Sequence, residues 1–291
     1  MRKFLLKASS LFLLIAITSV GCSQSLKLNI VVFGAHPDDA DYKVGGSATK
    51  WAKKGHNVLF VSITNGDAGH QEMGGRQLAK RRRKEAREAA KRFGIQYRVL
   101  SNHDGQLMPT LENREEIIKI IREWKSDIVI GHRPNDYHPD HRNASTLMQD
   151  AAYMVIVPNV VPGTPALSKN PVFLYMEDNF QKPQPFNPDI CVDISGSYKQ
   201  KIYAMSAHES QYFEWLPWTS HSLNEVPEGK EERLEWLAKK RMPVITEKER
   251  ECLIKCYGEE KGSKITMAES FEVCEYGRRP SETEISQLLG L

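Results

Sequence analysis

No Cys-x-x-Cys pair occurs among the five cysteines, so a cysteine-based zinc site is not expected. There is no internal repeat and no low-complexity segment. Surplus positive charge is also missing. The formal net charge is +3, and Arg2, Lys3 and Lys7 account for all of it, because residues 1–21 hold no acid. Basicity therefore gives no argument for a nucleic-acid partner, and none is expected. The N-terminal apolar stretch, Leu11 to Ile17, falls short of the roughly 20 residues a membrane-crossing helix needs. What remains is ordinary: 40% hydrophobic and 26% charged residues over 291 positions, enough for one large domain or a domain with an extension.

Residues 1–21 combine a basic start, a short apolar stretch and small residues, which is the pattern of a signal peptide. Ser19-Val20-Gly21-Cys22 resembles a bacterial lipoprotein signal, in which Cys22 becomes the lipidated first residue. Ser19 departs from the usual apolar residue there, so an ordinary secretory signal cleaved nearby is the alternative. Both predict export, to the periplasm or to a lipid-anchored place on a bacterial cell envelope. Any membrane contact is expected only through that N-terminal lipid. Cys191, Cys252, Cys256 and Cys274 remain. Cys252 and Cys256 share a helical spacing that rarely gives disulfide geometry, and mostly free buried thiols are expected.

The next part alternates. Apolar, β-branched runs at 26–35, 57–69, 95–100 and 126–132 predict buried strands. Helices are expected over 44–56, 76–93 and 112–124, the first two closed by Gly55 and Gly94. Continuous apolar strands alternating with helices predict an α/β, Rossmann-like fold with a mostly parallel sheet and helices on both faces. Further strands are expected at 172–177 and 189–195, and a helix at 198–211. Residues 26–211 are read as the main domain. Residues 212–291, with a charged helical stretch at 229–241, are read as a C-terminal extension packed on that core.

Ligands of such sheets collect outside the carboxyl ends of the strands. "AHPDDAD", "TNGDAGH", "SNHDGQL" and "HRPNDYHPDH" each follow a predicted strand, so four polar loops should gather at one rim. Two of them carry metal-ligand residue types. One holds His36, Asp38 and Asp39. The other holds His138, Asp140 and His141, with Pro139 suited to a first helical turn. Either cluster alone also reads as a Pro-Asp turn. Together, at matching strand ends, they predict a metal site.

"AHPDDAD…VGG", "TNGDAG", "RRRKEAREAAKRFGI", "DYHPDHR" and "AMSAHESQ", in that order, resemble the LmbE-like, or PIG-L-like, zinc de-N-acetylase family over about residues 28–211. The resemblance implies one zinc ion held by His36, Asp39 and His141, with Asp38 as general base. His138 would be the acid and oxyanion stabiliser, oriented and kept protonated by Asp140. Arg82 and Asp104 would contact the sugar, whereas Arg81, Arg83 and Lys84 read as a solvated helix face. Ala40 departs from the acid that many members carry after the paired aspartates. His208 matches a motif without a clear role. His70, His103 and His132 read as pocket lining at most. Trp215 and Trp218 suit core packing better than sugar stacking. The expected function is zinc-dependent removal of acetyl from an N-acetylated amino sugar of the N-acetylglucosamine type. A non-catalytic carbohydrate-binding lipoprotein, or a metal hydrolase of another amide or ester, are the alternatives.

Overall fold

The computed structural model describes residues 27–290, so the expected signal segment and Cys22 lie outside the described residues. The first half alternates strictly: β1 (Asn29–Gly34), α1 (Asp39–Lys53), β2 (Asn57–Thr64), α2 (Gly75–Phe93), β3 (Gln96–Asn102), α3 (Leu111–Glu123), β4 (Ile128–Gly131) and α4 (Pro139–Met154). β5 (Val172–Met176), β6 (Ile190–Asp193), α5 (Tyr198–Met205), a π-helical turn (Ser210–Trp215) and α6 (Leu216–Thr219) follow. The chain continues through α7 (Lys230–Lys240), α8 (Glu247–Tyr257), α9 (Glu259–Gly262), β7 (Ala268–Cys274) and α10 (Glu282–Leu289).

The seven strands form one sheet in the order β3-β2-β1-β4-β5-β7-β6. β1 to β5 pair in parallel, and β7 runs antiparallel to both of its neighbours. The sheet is buried on both faces because β1 alternates its apolar residues. Ile30 and Val32 join Trp51, Phe60 and Phe271 in one core, while Val31 and Phe33 join Ile117, Ile121 and Leu147 in the other. This is the expected α/β fold.

The stretch expected as a C-terminal extension packed on the core contributes a strand to the sheet. β7 lies between β5 and β6, and the α10 end is tied in by Trp51 Nε1 donating to the Leu288 carbonyl at 2.8 Å. Glu269 on β7 ties that strand to α1 and α5. Its carboxylate accepts the Gly46 and Ser47 amides of α1 at 2.8 and 2.7 Å, and the Lys201 ammonium at 2.8 Å. The polar side chain thus closes α1 from the far end of the chain. The four cysteines at 191, 252, 256 and 274 are free. Among the described residues no helix is long and apolar enough to cross a membrane.

Strand order reverses between β1 and β4: β2 and β3 lie to one side, β5 to the other. A crevice opens outside the carboxyl ends of two strands at such a switch point. The loops after β1 and β4, with the first turns of α1 and α4, carry the two His/Asp clusters into it.

Candidate metal centre and active site

α1 begins at Asp39, not near residue 44, so the "HPDD" turn runs directly into it. Asp38 sits at the junction with φ 156° and ψ −19°, a conformation that residues with a Cβ avoid. Arg82 on α2 holds it there. Its Nη2 donates to Asp38 Oδ1 at 2.7 Å and to the Pro37 carbonyl at 2.8 Å. Gly66, at φ 68°, makes room for this arginine, since a Cβ there would lie 2.6 Å from Arg82 Nη1. Arg82 is only 2% exposed. Its donor Nη2 is spent on Asp38 and Pro37, so it acts as a buried clamp, and the sugar contact expected of it remains a proposal.

Three atoms converge beside it. His36 Nδ1 lies 3.2 Å from His141 Nε2, and Asp39 Oδ2 lies 3.5 and 3.4 Å from these two nitrogens. Three ligands about 2.05 Å from one tetrahedral zinc stand roughly 3.3–3.4 Å apart. The spacing of His36, Asp39 and His141 therefore fits one such ion. The surroundings fit as well, because a ligating histidine normally turns its other nitrogen to a carboxylate. His36 Nε2 faces Asp104 Oδ1 at 3.0 Å and Asp140 Oδ2 at 3.2 Å. His141 Nδ1 faces Asp136 Oδ1 at 3.0 Å.

The electrostatics agree. Burial disfavours charge on His36, but Asp104, Asp140 and Asp39 outweigh burial and hold its pKa well above the ordinary value. Burial would raise Asp39, yet His141, His132 and His36 hold it well below the carboxylate range. Asp38 goes the other way: burial raises it, Asp39 adds to the rise, and Arg82 opposes. The paired aspartates are thus split into a firmly ionised one and a more basic one. Such a cluster of buried carboxylates is stabilised by a cation.

Two placements differ from the sequence reading. The Asp140 carboxylate does not face His138. It accepts the Gly105 and Leu107 amides at 2.7 and 3.1 Å and faces His36. The β3 loop, remote in sequence, sets that direction. His138, the N-cap of α4, accepts the Asp140 backbone amide on Nδ1 at 3.2 Å. Burial, His36 and His141 lower its pKa while Asp140 and Asp104 pull it up, and an Nδ1 that accepts a hydrogen bond carries no proton, so the ring is neutral in this arrangement. With Nδ1 used as an acceptor, its proton sits on Nε2. Asp104, expected to contact the sugar, lies buried against His36. Its loop is tied by Asp67, whose Oδ1 accepts the Asp104 amide at 3.0 Å and whose Oδ2 meets His103 Nδ1 at 2.6 Å.

Other residues were undervalued in sequence. His132 stacks on His141 at 4.1 Å between centroids, and its Nε2 accepts the Ala35 amide at 3.1 Å. Burial and His141 lower its pKa to about 4, so it is a neutral wall. Asp136 escaped notice although it stands two residues before His138. His208 is fully buried, with Nε2 2.9 Å from Asp41 Oδ1, and Tyr97 donates to the other Asp41 oxygen at 2.9 Å. His70 Nε2 pairs with Glu214 at 2.7 Å, and Arg81 donates to the same carboxylate, so Arg81 is no solvated bystander. Trp215 and Trp218 stack on each other at 5.3 Å, and Trp218 is 47% exposed, which sets it outside the core. A cleft of about 290 Å³ opens over Asp38, Asp39 and His141, walled by Tyr42, Tyr137, Phe180, Tyr212 and Arg241.

Comparison with known proteins places this arrangement. The family described as GlcNAc-PI de-N-acetylase, PIG-L, matches residues 31–152, which contain every residue of the cluster. The diacetylchitobiose deacetylase of Thermococcus kodakarensis is 33% identical over 196 residues, covering 63% of this chain and 70% of that protein. The structure of the N,N'-diacetylchitobiose deacetylase from Pyrococcus horikoshii superposes with a TM-score of 0.62 at 24% identity, covering 85% of this chain and 84% of that one. A 4-carboxy-2-hydroxymuconate hydratase from Pseudomonas putida shares the fold with a TM-score of 0.63 at 20% identity, covering 87% and 98%. By sequence and fold, this chain belongs to the PIG-L family of GlcNAc-PI de-N-acetylases.

Proposed function

We propose that this protein is an exported, zinc-dependent de-N-acetylase acting on an N-acetylated amino sugar of the N-acetylglucosamine type. The observation that carries the reading is the 3.2–3.5 Å triangle of His36, Asp39 and His141 with Asp38 beside it at the floor of a cleft. The deacetylase relatives support the reaction class. Export, with Cys22 as the lipidated residue, rests on the composition of residues 1–22 alone. The division into a signal segment, a 26–211 domain and a C-terminal remainder belongs to the same reading.

His36, Asp39 and His141 would hold the zinc. When bound, zinc supplies Lewis-acid polarisation of the amide carbonyl and acidifies water. Asp38, made more basic by burial and fixed by Arg82, takes a proton from the attacking water. The water oxygen bonds to the acetyl carbon, and the carbonyl electron pair moves onto oxygen. The Nε2 hydrogen of neutral His138 donates to that oxygen. The carbon–nitrogen bond then breaks, and Asp38 returns its proton to the amine. Asp104, Asp140 and Asp136 fix the directions of His36 and His141.

Acetate release from N-acetylated amino sugars by zinc-loaded protein tests the proposal. Release by the wild type and its loss in Asp38→Asn are expected. Sugar binding without release would favour the non-catalytic reading. The hydratase relative shares the sheet, so acetate, not fold, is the deciding readout.

A further inference from the structure

Three cations line the cleft: Lys43, Arg133 and Arg241. The fold supplies acids to two of them. Lys43 Nζ meets Glu177 Oε2 at 2.8 Å. Arg133 meets Asp178 Oδ1 at 3.0 Å and Glu272 Oε2 at 3.4 Å, and donates to the Gln184 carbonyl at 2.8 Å. Arg241 is different. Among the described residues it forms no salt bridge, and its buried Nε has no hydrogen-bond partner. The guanidinium is nevertheless held in place, 5.2 Å from the Tyr42 ring centre and 5.5 Å from that of Tyr212. Tyr212 itself is 2% exposed, and its hydroxyl also lacks a partner.

The nearby acids are already engaged. Asp38 is clamped by Arg82, Asp39 lies among three histidines, and Asp136 faces His141. Arg241 lines the cleft half-buried, close to two aromatic rings and without an acid partner, so its guanidinium is prepared for a group from outside. A planar guanidinium suits two oxygens of one anion. Both residues come from beyond residue 152, where the family match ends.

We propose that Arg241, supported by Tyr212, recognises a carboxylate or phosphate on the amino-sugar substrate, so that the cleft selects acidic over neutral N-acetylated sugars. This rests on the de-N-acetylase reading for the identity of the sugar, not for the presence of an anion site. Arg241 is a specificity residue and touches no reacting atom.

Calorimetric titration of the zinc-loaded protein separates the two. The probes are glucosamine, muramic acid and glucosamine 6-phosphate, the last two distinguishing carboxylate from phosphate. The wild type should bind one of the acidic sugars at least about tenfold more tightly than glucosamine, which is 1.4 kcal/mol. Arg241→Gln should abolish that preference, Arg241→Lys should retain part of it, and Tyr212→Phe should reduce it. In acetate assays, Arg241→Gln should raise KM for the matching N-acetylated acid with kcat nearly unchanged. Equal binding of all three probes by the wild type would overturn the inference. So would an acid preference that survives in Arg241→Gln, since the zinc ion would then be its source. Failure of the reaction reading looks different: an anion preference that depends on Arg241, with no acetate released from any sugar.

Discussion

Replacing Arg82 by methionine removes the clamp on the proposed base while keeping an apolar stem of similar length. The change deletes the bonds to Asp38 Oδ1 at 2.7 Å and to the Pro37 carbonyl at 2.8 Å. Both partners are enclosed, with side-chain exposures of 2% and 15%, so solvent screens little of the loss. Removing one member of a buried ion pair costs about 3–5 kcal/mol, since the other charge is left unpaired. The sign with pH follows from Asp38. Burial already raises its pKa and Arg82 opposes that rise, so the variant lifts it further above the unfolded value of about 3.9. The folded variant then binds more protons than the unfolded chain, and its stability falls as pH rises through the raised pKa. The deficit against wild type should be full near pH 7 and smaller near pH 5, read by urea unfolding of the zinc-free protein. Acetate release should drop roughly 10²-fold, as the base loses its fixed direction. A deficit under 1 kcal/mol at both pH values, or full activity, would refute the clamp.

Asp38→Asn keeps an acceptor for Arg82 but removes the base, so zinc content should stay at one per chain while kcat falls by about 10²–10⁴; unchanged kcat would reassign the base. Asp140→Asn weakens the support behind His36 Nε2, and zinc affinity in a chelator competition should fall by roughly 10–100-fold. If instead only His138 changes its titration by NMR, the sequence-based pairing of Asp140 with His138 was right. Glu269→Ala strands the Lys201 ammonium and two α1 amides, which predicts a loss of about 3–5 kcal/mol in thermal unfolding with little change in zinc affinity.

The parallel half of the sheet was legible because buried strands leave continuous apolar runs, and the rim was legible because polar loops follow those runs. His36 stands on the loop after β1, and Asp39 and His141 in the first turns of the helices that follow β1 and β4, so alternation alone brought them to one end. The direction of a carboxylate was not legible. Asp140 lies two residues from His138, and local spacing suggested a pair, but the amides of Gly105 and Leu107 turn it towards His36. Arg82 looked like a sugar ligand in a run of basic residues, and only the contact with Asp38 across 44 positions shows its place. The helix expected from residue 44 begins at Asp39, and within it Glu269 takes the amides of Gly46 and Ser47. β7 was hidden for a related reason: Glu269 and Glu272 break its apolar run, and each glutamate is matched by a partner remote in sequence.

The central claim is that one zinc ion, held by His36, Asp39 and His141, drives amide hydrolysis. Titrating zinc into metal-free protein while following acetate release from an N-acetylated amino sugar tests it directly. Release should rise linearly and level at one equivalent per chain in the wild type, and stay at background in His36→Ala and His141→Ala. Release that ignores a chelator, or that saturates in His141→Ala as in the wild type, would contradict the account.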